Sequence, residues 1–231
     1  MDLQDFFASV SRRRVAGILQ SAGYSEQVAH TLTGVCTTQT PNHVLRGMPP
    51  GGSIEARHTL QSRLRTPHLP QGAPTSPLLA NLVCFSLDRR LTGLGRAVRA
   101  TYTRYADDLT FSGGAEFRLT SADALLRGIR RIVADESFVV NPAKTRVQSR
   151  SERQSVTGVV VNERPNVTRR QYDQLRAVLH EARTRGPAAA NREGHPDFRA
   201  HLTGRVEWVT SLNRSRGRRL LVDLEAVDWS D

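Results

Sequence analysis

Two adjacent aspartates interrupt an alternating run, and that interruption constrains the fold more than any other feature of the chain. In Thr101-Tyr-Thr-Arg-Tyr-Ala-Asp-Asp-Leu-Thr-Phe-Ser-Gly113, Tyr102, Arg104, Leu109 and Phe111 alternate with small or polar residues, the period of two short β-strands. Tyr105, Ala106, Asp107 and Asp108 lie between them, so the pattern predicts a tight hairpin with both carboxylates at its tip. Asp fits strands poorly and neighbouring carboxylates repel. An oxygen-rich cluster of this kind suits a hard divalent cation, Mg²⁺ above all. A bare Asp-Asp pair is more often an ordinary acidic turn, and the residues around it decide between the two.

The chain has 231 residues, 38% of them hydrophobic and 24% charged, enough for one large or two small domains with a true core. No apolar run approaches the ~20 residues that span a bilayer, and the opening residues do not read as a charged-then-apolar signal segment. Cys36 and Cys84 each sit in apolar, helix-like sequence, which reads as buried thiols in a reducing cytoplasm rather than a disulfide or a metal site. Net charge is +11. Residues 1–170 carry 23 basic and 13 acidic side chains, whereas residues 171–231 carry 10 and 9. A basic excess concentrated in the first three-quarters favours a polyanionic partner, most simply nucleic acid, although a solvated basic surface would have the same composition. Of the 33 basic residues 32 are arginine; Lys144 alone is lysine. A proton that arginine could not release at accessible pH would give that lysine a reason, and chance would also produce it.

Along the chain, Met1–Val10 reads as a strand running into a turn. Ser11 caps a helix through Val15, Ile18 and Leu19 to about Gly23, and Ser25 caps a second to about Cys36 with Val28, Leu32 and Val35 on one face. Residues 38–68 read as a loop holding Pro41, Pro49, Pro50, Gly51 and Gly52, with a short helix at 53–64. Leu69-Pro-Gln-Gly-Ala-Pro-Thr-Ser-Pro77 feeds a long helix, capped by Ser76 and running through Leu78, Leu82, Phe85 and Leu87 to about Leu94. After the hairpin come a helix at 121–134 and strand-like pieces at 137–140, 145–149 and 155–162. From Thr168 the pattern is helical, broken at Gly186-Pro187 and 192–196, with last helices at 197–213 and 215–228. Strands and helices interleave without a strict βαβ repeat, so the fold class is α+β: an antiparallel sheet backed by helices, followed by a helical region. The division expected is 1–167 and 168–231.

Asp2, in Asp2-Leu-Gln-Asp-Phe-Phe7, offers a third carboxylate at a strand end. If that strand pairs beside the hairpin, Asp2 and Asp107 can face each other across two cations roughly 3.5–4 Å apart, the arrangement of metal-assisted nucleotidyl transfer. With these residues the sequence resembles the bacterial retron-type reverse transcriptases. The resemblance runs in order through Asp2–Phe7, Leu69-Pro-Gln-Gly-Ala-Pro-Thr-Ser-Pro-Leu-Leu-Ala-Asn81, Tyr102–Phe111 with its Tyr-Ala-Asp-Asp box, Asn141-Pro-Ala-Lys-Thr-Arg146 and Val156-Thr-Gly-Val-Val-Val-Asn162. It continues in the tail with Leu202-Thr-Gly-Arg-Val-Glu-Trp208 and Asn213-Arg-Ser-Arg-Gly217.

What the resemblance implies is an RNA-directed DNA polymerase with a palm at 1–167 and a helical thumb at 168–231. Asp2, Asp107 and Asp108 would ligate two Mg²⁺ ions, with Mn²⁺ as a substitute. Phe7 would wall off the sugar 2′-position, favouring deoxynucleotides; a core aromatic beside Phe6 is an equally good reading. Gln71 would contact the incoming nucleotide, and Lys144 would protonate departing pyrophosphate or contact a phosphate. Val156, Thr157 and Gly158 would grip the primer end. Trp208 and Trp229 are expected in the thumb core. Substrates would be deoxynucleoside triphosphates and a structured RNA serving as template and primer, giving an RNA–DNA hybrid. A retron effector protein and a role in phage defence would follow by association. The family's fingers region and its Asn-Ala-x-x-His element precede the first catalytic strand, whereas this sequence opens at that strand, which is expected to reflect a truncated reading frame or a palm–thumb remnant. A group II intron-like or diversity-generating enzyme, and an inactive RNA-binding remnant, are the alternatives.

Overall fold

Alternation in the hairpin sequence sends Leu109 and Phe111 to one face of a sheet and Asp108 and Thr110 to the other, and the rest of the first unit is built around the apolar face. The computed structural model describes residues 1–49, 53–114, 116–117 and 122–230. Pro50, Gly51 and Gly52 of the expected loop, and Ser121 at the expected start of a helix, lie outside the described residues. The chain is an α+β protein of two compact units, Met1–Val147 and Gln148–Asp231. Residues 148–167, grouped by sequence with the first unit, pack within the second.

In the first unit, β1 (Asp2–Leu3) is followed by a 3-10 turn at Phe7–Ser9 and six helices: α1 (Arg12–Ser21), α2 (Glu26–Cys36), α3 (Asn42–Arg46), α4 (Ile54–Leu64), α5 (Ser76–Val83) and α6 (Phe85–Ala97). Then come β2 (Ala100–Tyr105), β3 (Asp108–Gly113), α7 (Ala122–Asp135), β4 (Val140–Asn141) and a 3-10 turn at Pro142–Lys144. The four strands form one antiparallel sheet in the order β2-β3-β1-β4. Leu3 and Leu109 point into a core with Leu87 and Leu91 of α6, Leu125, Ile129 and Val133 of α7, and Phe138. Each such large apolar side chain stabilises by about 1.5–3 kcal/mol relative to exposure, and a one-residue slip would turn the strand residues out. The core thereby fixes the register that the acidic residues share.

Several expectations are corrected. The first strand is only two residues long, because Asp5 adopts a φ of 50° and turns the chain. The expected single helix from Ser76 to Leu94 is two, meeting at Cys84. Ser76 is not its cap. It sits buried inside the first turn, and its hydroxyl donates back to the Pro70 carbonyl at 2.6 Å. Helix α3 was not foreseen, since five residues carry too little periodicity to read. On α2 the apolar face of Val28, Leu32 and Val35 is exposed, Val35 at 83%, while Ala29 and Thr33 are buried. Residues 145–149 form no strand, and 155–162 is a hairpin rather than one strand.

In the second unit that hairpin comprises β5 (Ser155–Val156) and β6 (Val159–Val160). Its two-residue loop, Thr157-Gly158, has φ of 48° and 85°, and a positive φ at both loop residues matches the right-handed twist of paired strands. Helices α8 (Arg169–Arg185), α9 (Pro187–Ala190), α10 (Phe198–Leu212) and α11 (Arg214–Glu225) follow. Thr168 opens α8 with a capping box closed by Gln171. Val167, Tyr172, Leu175, Leu179, Leu202, Val206, Val209, Leu220 and Leu224 make this unit's core. Trp229 packs against it, but Trp208 does not and stands 54% exposed.

Candidate active site

The short β1 strand places Asp2 directly opposite Asp108 on β3. Leu3 N–H donates to the Asp107 carbonyl at 2.9 Å, and Leu109 N–H donates to the Met1 carbonyl at 2.7 Å. These bonds flank the Asp2–Asp108 pair, which is therefore a non-hydrogen-bonded pair, the kind in which opposite side chains approach most closely. Both residues point away from the core face that Leu3 and Leu109 occupy. Asp107 sits one residue earlier, in the Ala106-Asp107 loop that joins β2 to β3, where the Tyr105↔Asp108 pairing ends.

Asp2 is buried, at 9% exposure, and its Oδ2 accepts from the Lys144 ammonium at 3.0 Å. The lysine is brought there by the sheet. Asp2 also pairs with Asn141 on β4, and the Asn141 side chain accepts from the Ala143 N–H to start the 3-10 turn that ends at Lys144. That hydrogen bond and the Asp2 charge raise the Lys144 pKa. The Asp107 carboxyl is also raised, first by burial and then by the charges of Asp2 and Asp108, with Lys144 opposing. The three carboxylates feel one another, and the lysine is the cation beside them.

This donor set fits a hard divalent cation in kind: it is all carboxylate, gathered at one end of the sheet, and already drawing one ammonium. Among the described residues, however, no group of three or more Asp, Glu, His or Cys converges closely enough to hold a metal as it stands. Mg²⁺ is commonly held by one or two carboxylates together with substrate phosphates and water, so a closed protein cage is not a requirement.

The other predicted residues fall as follows. Phe7 begins the 3-10 turn after β1, half-buried, with its ring edge-on to Phe6 at 5.2 Å between centroids. Arg63 of α4 holds the intervening loop by donating to Asp5 Oδ2 at 3.0 Å and to the Gln4 carbonyl at 3.3 Å. Gln71 is exposed in a turn where Gly72 has a φ of 93°, and Ser76 ties that turn to α5 through Pro70. Val156, Thr157 and Gly158 stand at the tip of the β5–β6 hairpin in the second unit.

Sequence reasoning passed over an ion pair behind the hairpin, between a buried arginine side chain and a partly exposed aspartate. The side chain of Arg104 is 6% exposed, and its Nε and Nη2 donate to Asp88 Oδ1 and Oδ2 at 2.8 and 2.6 Å. Its Nη1 donates to Asn81 Oδ1 at 2.9 Å and to the Ala106 carbonyl at 3.0 Å. The Tyr102 hydroxyl donates to the same Asp88 at 2.8 Å. An arginine at an inward position of a strand whose neighbours are apolar is the signal that could have exposed it.

A family profile described as reverse transcriptase (RNA-dependent DNA polymerase) matches residues 1–165, and the chain belongs to that family. Within it the similarity is to retron enzymes. The chain is 43% identical to the retron Mx65 reverse transcriptase of Myxococcus xanthus over 95% of its length, covering 47% of that protein. It is 36% identical to the retron Mx162 reverse transcriptase of the same organism over 99% of its length, again covering 47% of that protein. With the retron Ec86 reverse transcriptase of Escherichia coli it is 29% identical over 99% of its length and covers 59% of the relative. The chain thus spans about half the length of the curated relatives it matches. No helix among the described residues is long and apolar enough to cross a membrane.

Proposed function

We propose that this chain carries the polymerising centre of a retron-type RNA-directed DNA polymerase, with residues 1–167 as palm and 168–231 as thumb, the palm's last stretch, 148–167, packing within the second compact unit. The observation that supports this most is the non-hydrogen-bonded pairing of Asp2 with Asp108, with Asp107 in the adjoining loop and Lys144 on Asp2. Like charges directly opposite destabilise a sheet, and three carboxylates gathered at one sheet end are better explained by a ligand than by folding.

In this reading Asp2, Asp107 and Asp108 hold two Mg²⁺ ions, or Mn²⁺ in their place. Bound there, the ions would lower the pKa of the attacking hydroxyl and neutralise the pyrophosphate leaving group. The residues of the chain supply position. Asp2 and Asp108 are set by strand register and Asp107 by the hairpin loop. Phe7 stands where a ring would exclude a 2′-hydroxyl, and Gln71 offers an exposed amide to the nucleotide. The ammonium of Lys144, which Asp2 holds at 3.0 Å, would be free to face the phosphates as a charge or a proton donor if a cation took its place on that carboxylate. Val156–Gly158 hold the primer end. The substrates are deoxynucleoside triphosphates and a structured RNA, the product an RNA–DNA hybrid, and the setting a cytoplasm in which Cys36 and Cys84 stay reduced. Work with an effector protein in phage defence is the role that the similarity to retron enzymes suggests.

The test is primer extension on an RNA template with Mg²⁺, alongside RNA binding, for the wild type and Asp107→Asn/Asp108→Asn. Extension by the wild type, lost in the variant while RNA binding persists, supports the reading. RNA binding by both with extension by neither would make the chain a binding remnant.

A further inference from the structure

The mechanism sketched above uses the carboxylates but leaves open what holds their loop still. Ala106, immediately before Asp107, adopts a φ of 50°, a conformation that residues with a Cβ rarely take. Such a residue persists only where its surroundings hold it. Among the described residues, the side chain that grips it is Arg104, whose Nη1 donates to the Ala106 carbonyl at 3.0 Å. We infer that Arg104 is a positioning residue for the acidic centre: its guanidinium locks the Ala106-Asp107 loop to α5 and α6 and so sets where the Asp107 carboxylate stands relative to Asp2 and Asp108. This inference rests on the proposed function.

The geometry is that of a fixed fork. One edge of the guanidinium, Nε with Nη2, is spent on Asp88 of α6, and the remaining nitrogen reaches both Asn81 of α5 and the loop carbonyl. Asp88 is held in turn by the Tyr102 hydroxyl, which burial and that bond keep protonated. Because α5 begins at Ser76, which grips Pro70, the same helix that carries Asn81 also carries the turn of Gln71. Arg104 therefore ties the turn expected to meet the nucleotide to the loop expected to meet the metal. Lysine could keep the charge opposite Asp88 but could not span Asn81 and the Ala106 carbonyl as well.

The experiment measures Mn²⁺ binding to the full chain by electron paramagnetic resonance in the presence of a deoxynucleoside triphosphate, with thermal melting, for the wild type, Asp107→Asn, Arg104→Lys and Arg104→Met/Asp88→Leu. The double variant removes both members of the pair, so neither charge is left without its partner and the variant is expected to melt close to the wild type. Binding that Asp107→Asn abolishes should weaken by about 10–100-fold in Arg104→Lys, the range seen when a partner of a metal ligand is lost, and should stay weak in the double variant despite its restored melting. Unchanged Mn²⁺ affinity in Arg104→Lys, or affinity that returns along with stability in the double variant, would overturn the positioning role and leave the metal centre intact. Wild-type chain with no Mn²⁺ binding sensitive to Asp107→Asn would overturn both.

Discussion

Asp107 is the residue at which stability and the proposed activity pull apart. Burial and the neighbouring carboxylates raise its pKa, so the ionised form is disfavoured in the folded chain. A group raised in this way contributes stability below its unfolded pKa and loses that contribution as pH rises through its folded value. In metal-free buffer at pH ~7, Asp107→Asn should therefore raise the thermal midpoint, with the advantage vanishing below about pH 4, where the wild-type carboxyl is protonated. A variant that melts lower than the wild type at neutral pH would contradict the repulsion inferred here. Lys144 offers the complementary case. It is 63% exposed, so Lys144→Arg should leave the thermal midpoint essentially unchanged. Single-turnover incorporation should fall by about 100-fold or more if the ammonium delivers a proton, as we expect, and remain near wild type if only its charge is used. Asp107 and Asp108 stood out in the sequence because they broke a local pattern, Lys144 because it is the one lysine among 33 basic residues, and Asp2 only as a third carboxylate at a strand end. Arg104 was not, because inside an alternating strand an arginine looks like one more basic residue in an arginine-rich chain until its burial is known.

At the scale of elements, the hairpin, its flanking helices and the all-helical tail were readable because their periodicity is strong. The failures have specific causes. The junction at Cys84 interrupts an apolar pattern without a Gly or Pro to mark it. The Val28, Leu32 and Val35 face of α2 has the spacing of a core face, yet it is exposed, and periodicity cannot say which of two faces a helix buries. Thr157-Gly158 hides a turn inside an apolar run that reads as one strand. Close helix contacts were also invisible in the sequence. Gly217 of α11 lies so near α10 that a Cβ there would sit 2.5 Å from the Thr210 Cα and closer still to its hydroxyl. Replacing a helical Gly by Ala gains about 1 kcal/mol of helix propensity, but a collision with backbone cannot be relieved by a rotamer change and costs about 1–3 kcal/mol. Gly217→Ala should accordingly lower the second unit's stability by up to about 2 kcal/mol, seen as a lower unfolding midpoint by circular dichroism. An unchanged or raised midpoint would mean that α10 and α11 separate freely.

For the molecule as a whole, the charge distribution and the two-unit division carry the argument. The +11 net charge lies almost wholly in the first 170 residues, which include the acidic hairpin itself. A polyanion held by such a surface releases counterions, so RNA affinity should drop by at least about tenfold between 50 and 200 mM salt, measurable by fluorescence anisotropy. Salt-independent binding would remove the reason to connect the charge with nucleic acid. The fold class and the family could be read from the sequence because the quoted motifs recur in order along nearly the whole chain. The unit boundary could not, since residues 148–167 join the second unit through packing that no local pattern announces.

The central claim is that the carboxylate of Asp2, set against Asp108 by strand register, is part of the centre that drives nucleotidyl transfer. Incorporation of a single deoxynucleotide opposite an RNA template, followed against Mg²⁺ concentration for the wild type and Asp2→Asn, tests it most directly. The account predicts saturable Mg²⁺-dependent incorporation by the wild type and a loss of at least about 100-fold in the variant at every Mg²⁺ concentration. Incorporation by Asp2→Asn at the wild-type rate, with the same Mg²⁺ dependence, would contradict it.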